Sequence, residues 1–125
     1  MWIDGMLASV TARDDVEAFN AECATAISLP SPEQLVSMYT DDAVMISRSR
    51  VTAGRDALLE RFRTSLTEPT NTAFESRHVI EDGNVVVDVG AILRDGVPVA
   101  RYVGIHCRQA DGRLKMFVDV PLPLG

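Results

Sequence analysis

The sequence predicts an α+β domain: about three helices first, then a four-stranded antiparallel meander, with the helices on one side of the sheet. Two observations carry this. Apolar residues recur at helical spacing before Pro69 and as alternating or β-branched runs after it. Three Asp-Gly pairs, Asp82-Gly83, Asp95-Gly96 and Asp111-Gly112, then separate those runs, and Asp-Gly in that setting is a strong hairpin signal.

Each element has its own local cause. From about Thr11 to Ser28, Val16, Phe19, Cys23 and Ile27 fall on one helical stripe, and Pro30 ends the segment. Ser31-Pro32-Glu33-Gln34 reads as an N-cap, a proline at the first helical position and a capping-box glutamine. The short helix that follows presents Leu35, Met38 and Tyr39. Ala43 to Ser47 is a brief strand candidate. Gly54-Arg55-Asp56 opens a third helix with Leu58, Leu59, Phe62 and Leu66 on one side. The four long strand runs follow.

Bulk properties narrow the class. A chain of 125 residues fits one domain spanning residues 1–125, and 46% apolar with 24% charged content is ordinary for a globular protein. A net charge of −6 without a Lys/Arg cluster argues against a nucleic-acid partner. No stretch is long and apolar enough to span a membrane. The N-terminal MWIDGMLASVTARDD lacks the basic region of a signal peptide. Cys23 and Cys107 are lone thiols, most simply read as free in a reducing cytoplasm, although a single disulfide fits too. His78 and His106 have no ligand spacing with them, so no zinc site is expected.

The most informative residues are Asp88 and Asp119, each inside a run that otherwise reads as buried strand, NVVVDVGAIL and RLKMFVDVPL. A carboxylate there is costly unless it is bonded, paired or lining a cavity. Strand parity puts Asp88 with Val86, Gly90 and Ile92, Tyr102 with Gly104 and His106, and Asp119 with Phe117. The opposite faces carry Val85, Val87, Val89 and Ala91, then Val99, Val103, Ile105 and Cys107, then Leu114, Met116, Val118 and Val120. Either the apolar face is the core and the aspartates meet water, or the mixed face is covered by the helices and the apolar face packs on a second subunit. Val86, Ile92 and Phe117 favour the second arrangement.

Three segments, Tyr39-Thr40-Asp41-Asp42-Ala43-Val44, Gly54-Arg55-Asp56-Ala57-Leu58-Leu59 and Asp111-Gly112-Arg113-Leu114, carry a resemblance spanning nearly the whole chain. In order and spacing it resembles the cystatin-like cone superfamily of nuclear transport factor 2, ketosteroid isomerase, SnoaL-type polyketide cyclases and limonene-1,2-epoxide hydrolase. That resemblance implies a curved, mainly antiparallel sheet around the helices, a deep apolar pocket and a homodimer through the outer sheet face. The catalytic base of ketosteroid isomerase falls at Ser47 here and its oxyanion-hole acid at Gly104, so that route is absent. The two acids of limonene-epoxide hydrolase fall on Asp119, its general base, and Asp88, its proton donor. The arginine bridging them falls at Val86, however, and its water-holding tyrosine and asparagine at Met45 and Ser47. SnoaL-type cyclases are similar in placing a general-base aspartate nearest Asp119.

The combined expectation is a small cofactor-independent acid–base enzyme acting on an apolar or polycyclic molecule, by cyclisation, isomerisation, dehydration or epoxide opening. Asp119 is its base, Asp88 its acid and His106 an orienting or relaying group. Tyr102, Phe117, Val86, Ser47, Met45 and Gly104 would line the substrate. The alternatives are a non-catalytic ligand-binding or dimerisation module, with His106 a strand histidine bonded to a neighbouring side chain or water and Tyr102 packed in the core with its hydroxyl at the rim. Asp41 and Asp42 read as turn residues, Asp56 as a helix first-turn acid, and Arg48 and Arg50 as solvated.

Overall fold

A computed structural model describes residues 2–124, with side chains from residue 12 onward. Three helices, α1 (Trp2–Ser28), α2 (Pro32–Val36) and α3 (Arg55–Ser65), pack on one face of a six-stranded sheet. Its strands are β1 (Tyr39–Ser47), β2 (Arg50–Ala53), β3 (Thr72–Asp82), β4 (Val85–Arg94), β5 (Val97–Arg108) and β6 (Leu114–Pro123). They lie in the order β2-β1-β6-β5-β4-β3, antiparallel throughout except for β1 beside β6.

The expected meander is β3 to β6. Its β4–β5 turn is the two-residue Asp95-Gly96, both at positive φ (54° and 79°), which matches the twist of the flanking strands. The first helix begins earlier than the apolar stripe indicated, because no proline interrupts it before Pro30. The N-terminal segment read for signal-peptide character lies mostly outside the described side chains. Tyr39 belongs to a strand rather than to the short helix, and β2 is an addition that closes a hairpin on β1. Ser31 makes no capping bond through its side chain; its hydroxyl donates to the Leu29 carbonyl instead.

Three single-residue bulges bend the sheet: Arg77 in β3, Val99 in β5 and Phe117 in β6 each stand unmatched in the neighbouring ladder. The bulge at Phe117 corrects the parity of the last strand. Met116 pairs with His106, but Val118 pairs with Ile105 and Asp119 with Gly104. Leu114 and Met116 therefore belong to the buried core on the same face as Asp119, whereas Phe117 stands outside that core.

The inner face carries Val86, Asp88, Tyr102, Gly104, His106, Met45 and Met116, covered by Val16, Phe19 and Cys23 of α1 and Leu58 and Phe62 of α3. The mixed face is thus the covered one. The outer face leaves Val87, Val89, Val103, Ile105, Val118 and Val120 side by side and only half-buried. Among the described residues no helix is long and apolar enough to cross a membrane.

Candidate active site

Pairing in adjacent ladders puts Asp88 opposite Gly104 and Gly104 opposite Asp119. The three form one row across β4, β5 and β6, with the two aspartate backbones about 10 Å apart, two strand spacings. The carboxyl groups do not form a contacting dyad. Each is held separately by its own tyrosine.

Asp88 is completely buried. Its Oδ2 accepts hydrogen bonds from the Tyr102 hydroxyl at 2.8 Å and the Asn20 side-chain amide at 3.0 Å. Asn20 reaches down from α1 and also bonds the Ser76 hydroxyl at 2.9 Å. Asp88 Oδ1 has no partner. The Tyr102 ring crosses Gly90, its ladder partner, and a β-carbon at that position would lie 2.7 Å from the phenolic oxygen. Glycine there lets the tyrosine lie flat enough to reach Asp88. Burial raises the proton affinity of the Tyr102 hydroxyl, so it stays a donor.

At the other end of the row, Asp119 Oδ2 accepts the Tyr39 hydroxyl at 2.7 Å. Burial pushes the Asp119 carboxyl above the usual range, while the Tyr39 bond and the Arg61 guanidinium pull it partly back. Arg61 projects from α3 and donates to Thr52 Oγ1 at 2.9 Å and Ser47 Oγ at 3.1 Å. Tyr39 and Cys23 are both pushed upward, first by burial and then by the Asp119 charge.

His106, two residues along β5 from Gly104, has no solvent exposure and neither ring nitrogen bonded. Burial pushes its imidazole down to about 4, against a smaller opposing pull from Asp88, so the ring is neutral at pH 7. The Phe19 ring meets it edge-on, centroid to centroid 4.5 Å. The Met116 thioether lies over Gly104, its sulfur 3.1 Å from where a β-carbon would stand.

The sequence-predicted residues thus divide. Asp88, His106, Tyr102, Gly104 and Val86 form one contiguous inner patch on β4 and β5, with Val86 opposite His106. Asp119 and Met45 are ladder partners. Ser47 lies at the end of β1, bonded to the Arg50 carbonyl and Arg61. Phe117 is removed from the group by its bulge. The row is packed with side chains: neither the cleft beside Phe19, Met38 and Leu114 nor the one beside Arg50, Arg61 and Thr64 is lined by Asp88, Asp119 or His106.

Asn20, Ser76, Tyr39 and Arg61 were not foreseen as site residues. Asn20 had a signal: it interrupts the apolar stripe of the first helix four residues after Val16. Tyr39 and Arg61 had none, since their reach to Asp119 depends on the β1–β6 pairing and on the seating of α3. Among the described residues no group of three or more His, Cys, Asp or Glu side chains is placed to hold a metal ion.

A family model described as a SnoaL-like domain matches residues 12–116. No protein of curated function matches. Among solved structures, the chain is similar to an NTF2-like protein with a cystatin-like fold from Novosphingobium aromaticivorans (TM-score 0.74, 13% identity, 98% of this chain and 88% of that one). It is also similar to a ketosteroid isomerase-like protein from Erwinia carotovora atroseptica (TM-score 0.67, 21% identity, 87% and 93%). A third is a Catenulispora acidiphila protein in complex with S-DNPA (TM-score 0.71, 16% identity, 90% and 94%). At these identities the likeness establishes the fold.

Proposed function

Because the chain belongs to the SnoaL-like domain family, we propose that it is an acid–base enzyme acting without a cofactor on a small apolar molecule, with Asp119 as general base and Asp88 as general acid. The observation that carries this reading is the Asp88–Gly104–Asp119 row, in which each carboxyl is oriented by a tyrosine inside an apolar interior.

The two ends suit opposite roles. Burial makes the Asp119 carboxylate a stronger base than one in water, and Tyr39 holds Oδ2 while leaving Oδ1 to take a proton. Asp88 has both donors on Oδ2, so Oδ1 is the corner from which a proton is delivered to developing oxygen charge. His106, neutral and adjacent, orients the substrate oxygen or passes the proton on. A separation of about 10 Å between the two backbones suits base and acid working on opposite ends of one ring system. Isomerisation, cyclisation and dehydration need only this pair; epoxide opening also needs a held water, for which Tyr39 is the nearest donor to the base. The reading includes a cytoplasmic setting, supported by the free thiols Cys23 and Cys107, and a homodimer through the apolar outer face.

The test is proton–deuterium exchange at carbon next to a carbonyl, followed by NMR over a panel of cyclic ketones and polyketide-like diketones. Asp119→Asn and Asp88→Asn should each reduce exchange by at least about 100-fold, the usual scale for acid–base groups, with circular dichroism unchanged. Undiminished exchange in both variants sinks the assignment.

The enclosure of Asp88 and His106 favours a second reading, in which the Asn20–Asp88–Tyr102 network only fixes α1 on the sheet and the fold serves as a binding or dimerisation module. That reading predicts no exchange with any substrate in the panel.

A further inference from the structure

We propose that the cleft between the β1–β2 hairpin and the C-terminal half of α3 binds a small oxyanion, phosphate or a phosphate monoester, between the guanidinium groups of Arg50 and Arg61. The cleft has a volume of about 490 Å³ and is lined by Arg50, Glu60, Arg61, Thr64 and Ser65, none of them a residue of the buried core. Arg50 is the ladder partner of Ser47 and stands two residues before the buried Thr52, so it lies on the side of the hairpin that faces α3. Arg61 reaches the same place from α3, donating to Ser47 Oγ at 3.1 Å and Thr52 Oγ1 at 2.9 Å. Ser47 in turn donates to the Arg50 carbonyl at 3.1 Å.

Two like charges gathered at one hairpin end repel unless a counter-ion stands between them. Arg55 and Arg63, the other arginines of α3, have theirs: Asp41 for the first, Glu33 and Glu60 for the second. Among the described residues neither Arg50 nor Arg61 pairs with a carboxylate. Glu60 lines the cleft, but its Oε1 is held by Arg63 at 3.0 Å. Arg61 is half-buried, so its charge is screened less than one in open water. Its two partners are neutral hydroxyls and use only part of its donor set. A planar guanidinium fork matches paired phosphate oxygens, which names the ligand class.

Occupancy would reach Asp119. Thr52, Met45 and Asp119 form one row across β2, β1 and β6, continuing the row that holds Gly104 and Asp88. Arg61, fixed on Thr52, opposes the effect of burial on the Asp119 carboxyl. An anion on Arg61 offsets that pull and raises the proton affinity of Asp119. The consequence for catalysis, inhibition at neutral pH, rests on the reading of Asp119 as general base; the binding does not.

The test adds inorganic phosphate to the full chain labelled with nitrogen-15, at pH 7 and at an ionic strength held constant with sodium chloride. The Nε–Hε signals of Arg50 and Arg61, assigned with Arg50→Gln and Arg61→Gln, should move saturably. Arg61→Gln, read on Arg50, should weaken phosphate about tenfold, the loss of one charge-assisted contact. Arg50 is exposed, so if Arg61→Gln does not fold, Arg50→Gln should still show a similar loss on Arg61. Phenyl phosphate separates the two sources: tighter binding than phosphate assigns the site to an ester, equal binding to the free anion. A linear response, one that sodium chloride alone reproduces, or unchanged affinity in a folded variant overturns the site. The carbon-13 titration midpoint of the Asp119 carboxyl should rise with phosphate bound; an unmoved midpoint overturns the coupling. Phosphate binding with proton exchange intact in Asp119→Asn defeats the general-base reading and leaves the site standing. Exchange lost in Asp119→Asn with no phosphate binding does the reverse.

Discussion

Tyr39 donates its hydroxyl to Asp119 at 2.7 Å, joining the first residue of β1 to the last acid of β6 across the single parallel pairing of the sheet. The bond opposes the effect of burial on the carboxyl, which is displaced above the usual range. Tyr39→Phe should displace it further. The acid limb of the pH–rate profile should move to higher pH, and stability should fall by roughly 1–3 kcal/mol, the scale of a lost bond to a charged group. An unmoved acid limb would show that another group sets that limb.

Asp119→Asn should make the protein more stable at pH 7 while abolishing exchange. A carboxyl with raised folded-state affinity binds its proton more tightly in the native than in the unfolded chain. Its favourable contribution is complete below the unfolded value and is lost as pH rises through the folded one. The amide can still accept from Tyr39 but carries no charge to bury. The gain, measured by urea denaturation, should shrink toward zero as pH falls to about 4. Equal gain at all pH values argues that Asp119 is neutral throughout.

His106 has the opposite sign. Its imidazole is pushed down to about 4, so the unfolded chain takes up the proton first as pH falls below its ordinary value of 6.5. Wild-type stability should drop between pH 6.5 and 4 by on the order of 3 kcal/mol from this residue alone. His106→Leu replaces two unbonded nitrogens with apolar surface, so at pH 7 it should be close to neutral or stabilising. Its pH profile should lose that acid-side slope. Persistence of the full slope assigns the acid sensitivity elsewhere.

The order of elements and the face carrying the acids were legible because helical stripes, Asp-Gly turns and strand alternation are local signals. The burial of Asp88 beside Val86, Tyr102 and His106 follows from parity within unbroken stretches of β4 and β5. Parity failed at Phe117, where one extra residue reverses the face of everything after it, and no neighbouring residue type announces the bulge. The partners of the acids were the least legible part. Tyr39 reaches Asp119 from 80 positions away, and Asn20 reaches Asp88 from 68, so each contact exists only once the ladder is assembled.

Gly90 and Gly104 face the same interior but should differ in their tolerance of alanine. At Gly90 the new carbon meets the Tyr102 hydroxyl at 2.7 Å and the Glu75 backbone, which cannot move without breaking the β3–β4 ladder. At Gly104 it meets the end of Met116 at 3.1 and 3.2 Å, which can swing aside. Gly90→Ala should therefore cost about 1–3 kcal/mol in urea denaturation, and Gly104→Ala clearly less. Gly90→Ala should also displace Tyr102 from Asp88, visible as a changed tyrosine fluorescence and a weakened exchange reaction. Equal costs at the two positions would contradict the close approach of Tyr102.

The outer face sets the last expectation. Val87, Val89, Val103, Ile105, Val118 and Val120 lie half-buried on three adjacent strands, outside the core that the described helices cover. Apolar patches of such extent mark an interface, and a second copy offers an equally apolar surface. Sedimentation velocity at micromolar concentration should give a dimer. Val103 occupies the middle strand, so Val103→Lys puts two like charges near the centre of a symmetric contact, where neither finds a partner. It should release monomers that keep their circular dichroism, because the position faces away from the core. A wild-type chain that sediments as a monomer would leave this face to a different partner, and a Val103→Lys variant that remains dimeric would move the contact to another surface.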